Sequence, residues 1–232
     1  MSQSAKTSIV LLPGMDGTGE LLRPLAERLS AYGPVRIIAY PADRDLDYNQ
    51  LTAFVRERLP ADRFVILGES FSGPIAIEIA ASSRQVAGLI LASSFARHRL
   101  PKWLSRFTWL LDPRWVPTKL IIAVLMGSAA TPSLRRQLRD VLDCLPHAVL
   151  RARAGNALRV DKRDRLRATT CPMLCLHGTS DWLILQKQIA AILAARPDCE
   201  LHRMNAPHML LATHADAAAA VIGDFCKRLE GA

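Results

Sequence analysis

Ser70, Asp181 and His208 have the residue types that a nucleophile, an orienting acid and a general base need, and each directly follows an apolar run or its turn. A serine hydroxyl attacks a carbonyl when an imidazole takes its proton and a carboxylate holds that imidazole in the right tautomer. The strongest local signal is Phe64-Val-Ile-Leu-Gly-Glu-Ser-Phe-Ser-Gly-Pro-Ile-Ala-Ile. A buried run leads into Gly68-Glu69-Ser70-Phe71-Ser72-Gly73 and an apolar helical pattern follows at once, the context of a nucleophile elbow. Ser72 stands where the second glycine of that pattern is usual, and Pro74 falls in the first helical turn, where a missing N–H costs little.

The acid is read in Leu176-His177-Gly178-Thr179-Ser180-Asp181-Trp182 and the base in Asn205-Ala206-Pro207-His208, in the expected order of serine, acid, histidine. An oxyanion needs two backbone N–H groups, one just after the nucleophile and one from an earlier loop. Phe71 supplies the first. The loop Leu11-Leu12-Pro13-Gly14-Met15-Asp16-Gly17-Thr18-Gly19 supplies the second, with Met15 as the expected donor and Asp16 next. A phosphate loop is the rival reading, but no Gly-Lys-Ser/Thr follows. Of the other histidines, His202 falls in a strand, His214 near the last helix, and His98 and His147 in a basic segment. His177 precedes the acid and is expected to be structural or pocket-lining. Asp161 and Asp164 sit in a solvated Arg-rich run.

Such distant residues meet only if the chain between them is organised. Six short apolar runs recur: Ser8–Leu12, Val35–Tyr40, Phe64–Leu67, Gly88–Ala92, Met173–Leu176 and Glu200–Met204. They alternate with helical patterns such as Leu21, Leu22, Leu25 and Leu29, or Ala218, Val221, Ile222 and Phe225. Runs of this kind suit strands buried on both faces, and strand–helix alternation implies right-handed crossovers and a parallel sheet. Loops leaving the carboxyl ends of parallel strands share one edge, so Ser70, Asp181 and His208 converge there. The expectation is one domain over residues 1–232, α/β, with a sheet of about six strands, all parallel. A small helical insert, residues 96–168, lies between the fourth and fifth strands. That segment holds Trp103, Trp109 and Trp115 and five prolines.

The chain has 232 residues, of which half are apolar and 22% charged, which allows a sizeable core and excludes global disorder. No apolar run nears the roughly 18 residues that cross a bilayer, and no signal core follows the amino terminus; a cytoplasmic protein without stable membrane insertion is expected. Five cysteines in no zinc pattern read as reduced, mostly buried thiols. The net charge of +9 is uneven: residues 97–167 carry 13 Arg and 3 Lys against 5 Asp, and the rest of the chain is slightly acidic. Arginines facing solvent, with the tryptophans packing the insert down, is the preferred explanation. An acyl-chain pocket with a basic rim, near Phe107, Leu110 and Leu111, is the alternative. No nucleic-acid-binding motif accompanies the charge.

The two motifs, Leu-Pro-Gly-Met-Asp-Gly-Thr-Gly and Gly-Glu-Ser-Phe-Ser-Gly, resemble those of the α/β-hydrolase family, and the resemblance covers nearly the whole chain. They are similar to a branch with bacterial hydrolases and plant phytyl ester synthases. The resemblance implies a Ser–Asp–His triad with neither cofactor nor metal, and a sheet truncated by its first two strands. The function expected is hydrolysis of a small-molecule carboxylic ester or thioester through an acyl-serine. An acyltransferase using the same triad and a non-catalytic ligand-binding protein are the alternatives.

Overall fold

Apolar strands of five to seven residues cannot cover both of their faces unless layers pack on each side. The computed structural model, which describes residues 6–97 and 117–231, has six strands: β1 (Ser8–Leu12), β2 (Val35–Ile37), β3 (Phe64–Glu69), β4 (Val86–Ala92), β5 (Met173–Gly178) and β6 (Glu200–Met204). Of these, β1, β3, β4 and β5 are buried on both faces, and the edge strands β2 and β6 are partly exposed. They form one sheet in the order β2-β1-β3-β4-β5-β6, with every pair parallel.

Alternate strand residues feed two cores. On one face Val10, Leu12, Ile66, Leu89, Leu91 and Cys175 pack with α2 (Tyr48–Arg56), α3 (Gly73–Ala80) and α8 (Gln186–Ala195). On the other, Ile9, Leu11, Val65, Leu67, Ile90 and Leu174 pack with α1 (Arg23–Leu29) and α10 (Ala215–Glu230). Asp47 caps α2 in a reciprocal box with Gln50, which fixes where that helix starts.

Between β4 and β5 the described chain is helical: α4 (Thr118–Met126), α5 (Pro132–Asp143), α6 (His147–Ala157) and α7 (Arg163–Arg167). A third apolar cluster joins α4, α5 and α6 to Leu21 and to Met209, just before α9 (Leu210–Thr213). Among the described residues no helix is long and apolar enough to cross a membrane. Trp103, Phe107, Trp109, Leu110, Leu111, Trp115 and His98 lie outside the described residues.

The strand expected over 35–40 is three residues long. After Ile37 the chain turns off: the Ile38 N–H donates to the Leu11 carbonyl and the Tyr40 N–H, at 2.7 Å, to the carbonyl of Gly17. Conversely β3 runs past Leu67, because Gly68 and Glu69 pair with Leu91 and Ala92. The sheet reverses direction of growth at β1, flanked by β2 and β3, and the loops leaving β1 and β3 face each other there.

Candidate active site

At the end of β3 the backbone turns sharply. Ser70 has φ 46°, and residues Ser70–Ser72 form a 3-10 turn that runs straight into α3. A left-handed conformation at a non-glycine residue costs about 1–3 kcal/mol, so surrounding contacts must hold it. The Ser70 carbonyl accepts the Ser94 hydroxyl at 2.5 Å and the Gly73 N–H. Ser93, just after the neighbouring β4, is strained in the same sense, with φ 44°.

The close approach that the usual second glycine serves falls here on Gly73, where a Cβ would stand 1.9 Å from Ser94 Oγ. Gly73→Ala is therefore expected to cost about 1–3 kcal/mol of stability through overpacking, read as a fall of several degrees in Tm. An unchanged Tm would show that Ser94 yields freely. Ser72 is tolerated because its hydroxyl is satisfied: it donates to the Pro13 carbonyl and accepts from Tyr40 Oη.

The loops after β5 and β6 are laced together, with Thr179 N–H donating to the Met204 carbonyl and Ser180 N–H to that of Ala206. This brings Asp181 beside His208. The imidazole lies between the other two groups, with Nδ1 2.8 Å from Asp181 Oδ2 and Nε2 2.9 Å from Ser70 Oγ. Asp181 and His208 are buried, at 8% and 6% exposure. Asp181 Oδ1 accepts the N–H groups of Leu183 and Ile184 at 2.8 and 2.9 Å. Burial works to raise the Asp181 carboxyl, but the hydrogen bond and charge of His208 and those two N–H groups outweigh it and hold it below the usual carboxylate range. Such an array can take a proton from Ser70 Oγ and stabilise the imidazolium that results.

The loop after β1 closes the other side. Gly17 has φ 72°, and a Cβ there would lie 2.4 Å from Arg153 Nη1. That guanidinium, on α6, donates to the carbonyls of Met15 (2.9 Å), Asp16 (2.7 Å) and Pro41 (2.9 Å). Gly17 N–H donates to the Gly14 carbonyl. Because N–H and C=O of a trans peptide point in opposite directions, the Met15 N–H is directed out of the Gly14–Gly17 turn and the Asp16 N–H away from Arg153. By the same geometry the Phe71 N–H points away from Ser94, on which the Ser70 carbonyl is engaged.

Between loop and imidazole is a cavity of about 240 Å³. Gly14, Met15, Asp16, Glu69, Ser70 and His208 form its polar end, and Leu125, Leu138, Leu142, Leu150 and Met209 are among its apolar walls. A buried Glu69 accepts the Gly14 N–H at 3.1 Å. Burial and then the neighbouring Asp16 push the Glu69 carboxyl up to about 8.

The remaining candidates fall elsewhere. His177 is buried, with Nε2 3.5 Å from Gln186 Nε2, and burial lowers its pKa. His202 lies in β6 and His214 just before α10. Asp161 pairs with Arg97 and Arg163, and Asp164 with Arg167. Arg135, Arg136, Arg139, Arg151 and Arg159 are exposed, whereas Arg153 is buried. Sequence reasoning missed Arg153, Glu69, Tyr40 and Ser94 as structural partners of the site. For Arg153 a signal existed, since its spacing of four from Val149 and Ala157 puts it on the inward face of a helix. Among the described residues no group of three His, Cys, Asp or Glu could hold a metal ion.

Residues 44–212 match a family described as serine aminopeptidase, S33. Two pimeloyl-[acyl-carrier protein] methyl ester esterases are similar in sequence. That of Cronobacter sakazakii is 29% identical over 212 residues, covering 83% of this chain and 82% of that protein. That of Citrobacter koseri is 26% identical over 242 residues, covering 95% and 91%. Among solved structures, an enol-lactonase from Burkholderia xenovorans superimposes with a TM-score of 0.83 at 17% identity, covering 98% of this chain and 94% of that one. An esterase from Exiguobacterium antarcticum gives 0.79 at 17% identity, covering 96% and 92%. At these identities the structural likeness speaks for the fold.

Proposed function

Since the chain belongs to the serine aminopeptidase S33 family of α/β-hydrolases, we propose that it is a serine hydrolase cleaving a carboxylic ester or thioester through an acyl-serine intermediate. The observation that carries this reading is the continuous hydrogen-bonded row of Ser70 Oγ, His208 and Asp181 at the polar end of an apolar cavity. His208 takes the Ser70 proton as Oγ attacks the carbonyl carbon, and Asp181 stabilises the imidazolium. The Met15 and Phe71 N–H groups receive the oxyanion; loss of one such donor typically costs about 10²–10³ in kcat. The imidazolium then protonates the departing alcohol or thiol, and water, deprotonated by His208, releases the acid.

The substrate side rests on two supports. The cavity walls are Leu, Ile, Ala and Met side chains, which suits an acyl chain, and the sequence relatives are named for cleaving a methyl ester. The apolar walls would serve equally, as a second reading, transfer of the same acyl group to an alcohol.

The test is a fluorophosphonate probe mapped by mass spectrometry to Ser70, followed by a panel of esters and thioesters of graded chain length with and without an alcohol acceptor. Labelling elsewhere, or no turnover across the panel, would count against hydrolysis; a transfer product would mark the second reading. Ala154 lines the cavity. Ala154→Phe is expected to lower kcat/KM for an octanoyl ester about 10-fold or more, with the acetyl ester nearly unchanged. Equal losses on both esters would place the chain outside this cavity.

A further inference from the structure

Glu69, just before the nucleophile, and Ser72, two residues after it, both grip the loop after β1. Ser72 Oγ donates to the Pro13 carbonyl, and Glu69 Oε2 accepts the Gly14 N–H at 3.1 Å. Both side chains are buried, Ser72 completely and Glu69 at 7% exposure. These ties fall on the two residues before Met15, and neither belongs to the proton-transfer row. We propose that Glu69 and Ser72 are positioning residues that set where the Met15 N–H stands relative to Ser70 Oγ. The proposal rests on the acyl-serine reading above.

An oxyanion donor works only within about 2.7–3.1 Å of the developing charge, so a loop displaced by a few tenths of an ångström loses most of its value. Glu69 suits the task as a neutral acid. Its carbonyl oxygen accepts the Gly14 N–H without setting a negative charge beside an oxygen that is about to become negative. The titratable and charged groups around it are Asp16 on the loop, Tyr40 beyond β2 and His208 across the cavity; Arg153 spends its hydrogen bonds on loop carbonyls. With its carboxyl pushed up to about 8, Glu69 is protonated at neutral pH and ionises above it. The new charge, on a buried carboxylate beside the loop, then opposes the oxyanion.

The experiment is a pH–rate profile on p-nitrophenyl butyrate for the wild type, Glu69→Gln, Glu69→Leu and Ser72→Ala, with fluorophosphonate labelling of each. The wild type is expected to lose kcat above pH 8, about tenfold by pH 9.5. Glu69→Gln, whose amide oxygen still accepts the Gly14 N–H, should stay within about threefold of wild type at pH 7 and lack the alkaline fall. Glu69→Leu and Ser72→Ala should lose kcat by about 10- to 100-fold with KM within about twofold.

A second readout needs no turnover. An unfolded glutamate ionises near 4.5 while the folded one holds its proton to about 8, so wild-type stability declines as pH rises across that interval. Glu69→Gln is free of that decline, and its advantage in Tm should grow from pH 5 to pH 8. Glu69→Gln retaining the alkaline fall, or Glu69→Leu and Ser72→Ala with wild-type kcat, overturns the proposal while labelled Ser70 leaves the acyl-serine reading standing. An unlabelled Ser70 with no wild-type turnover sinks both.

Discussion

Ser70→Ala is expected to lower kcat for a p-nitrophenyl ester by about 10⁴–10⁶-fold and to abolish fluorophosphonate labelling. The methyl group cannot form the bond to the acyl carbon, and nothing else within the described cavity lining pairs a hydroxyl with His208. Residual rate would come from the oxyanion donors and the binding of the acyl chain alone. The substitution should leave the fold intact, because the strained φ of 46° is held by contacts to the Ser70 carbonyl, which alanine retains. An alanine protein that keeps wild-type turnover would refute Ser70 as the nucleophile.

Asp181→Asn should be nearly as damaging, at about 10⁴-fold in kcat, for a reason visible in its hydrogen bonds. Oδ1 accepts two backbone N–H groups, so an asparagine must place its oxygen there and turn its NH₂ toward His208. Facing a donor, the imidazole takes the tautomer with the proton on Nε2 and can no longer accept the one from Ser70. The downfield Nδ1–H resonance of wild type should vanish with the activity, while KM changes little. A loss of kcat below tenfold would mean that Asp181 does not orient the base.

How much could be read from the sequence follows from which signals are local. Ser70 is legible because strand, turn and helix lie within a dozen residues, and Asp181 and His208 because both follow apolar runs that end at the same edge of a parallel sheet. The four inner strands and their parallel pairing are legible for the same reason, since runs buried on both faces admit few alternatives, while the partly exposed edge strands β2 and β6 are legible from the strand–helix alternation. Their ends are not. Whether residues 38–40 continue β2 depends on the Gly17 carbonyl, which is more than twenty residues away in sequence. Partners of this kind are invisible to a window that slides along the chain. Ser72, a departure from the usual motif, becomes intelligible only beside Pro13 and Tyr40. Composition hid Arg153 among exposed neighbours of identical type, and Glu69 looked like an ordinary variable position until its burial was known.

The three carbonyls held by Arg153 have a practical consequence for protein engineering. On the proposed acyl-ester reading, exchange of α4–α6 between homologues is a way to retune chain-length preference, since these helices supply most of the apolar walls. In this protein α6 also carries the strut of a loop more than a hundred residues earlier. On that reading, a chimera that imports foreign α4–α6 without an arginine at this place is expected to alter selectivity and turnover together, so grafting should keep Arg153 with Gly17 as a unit.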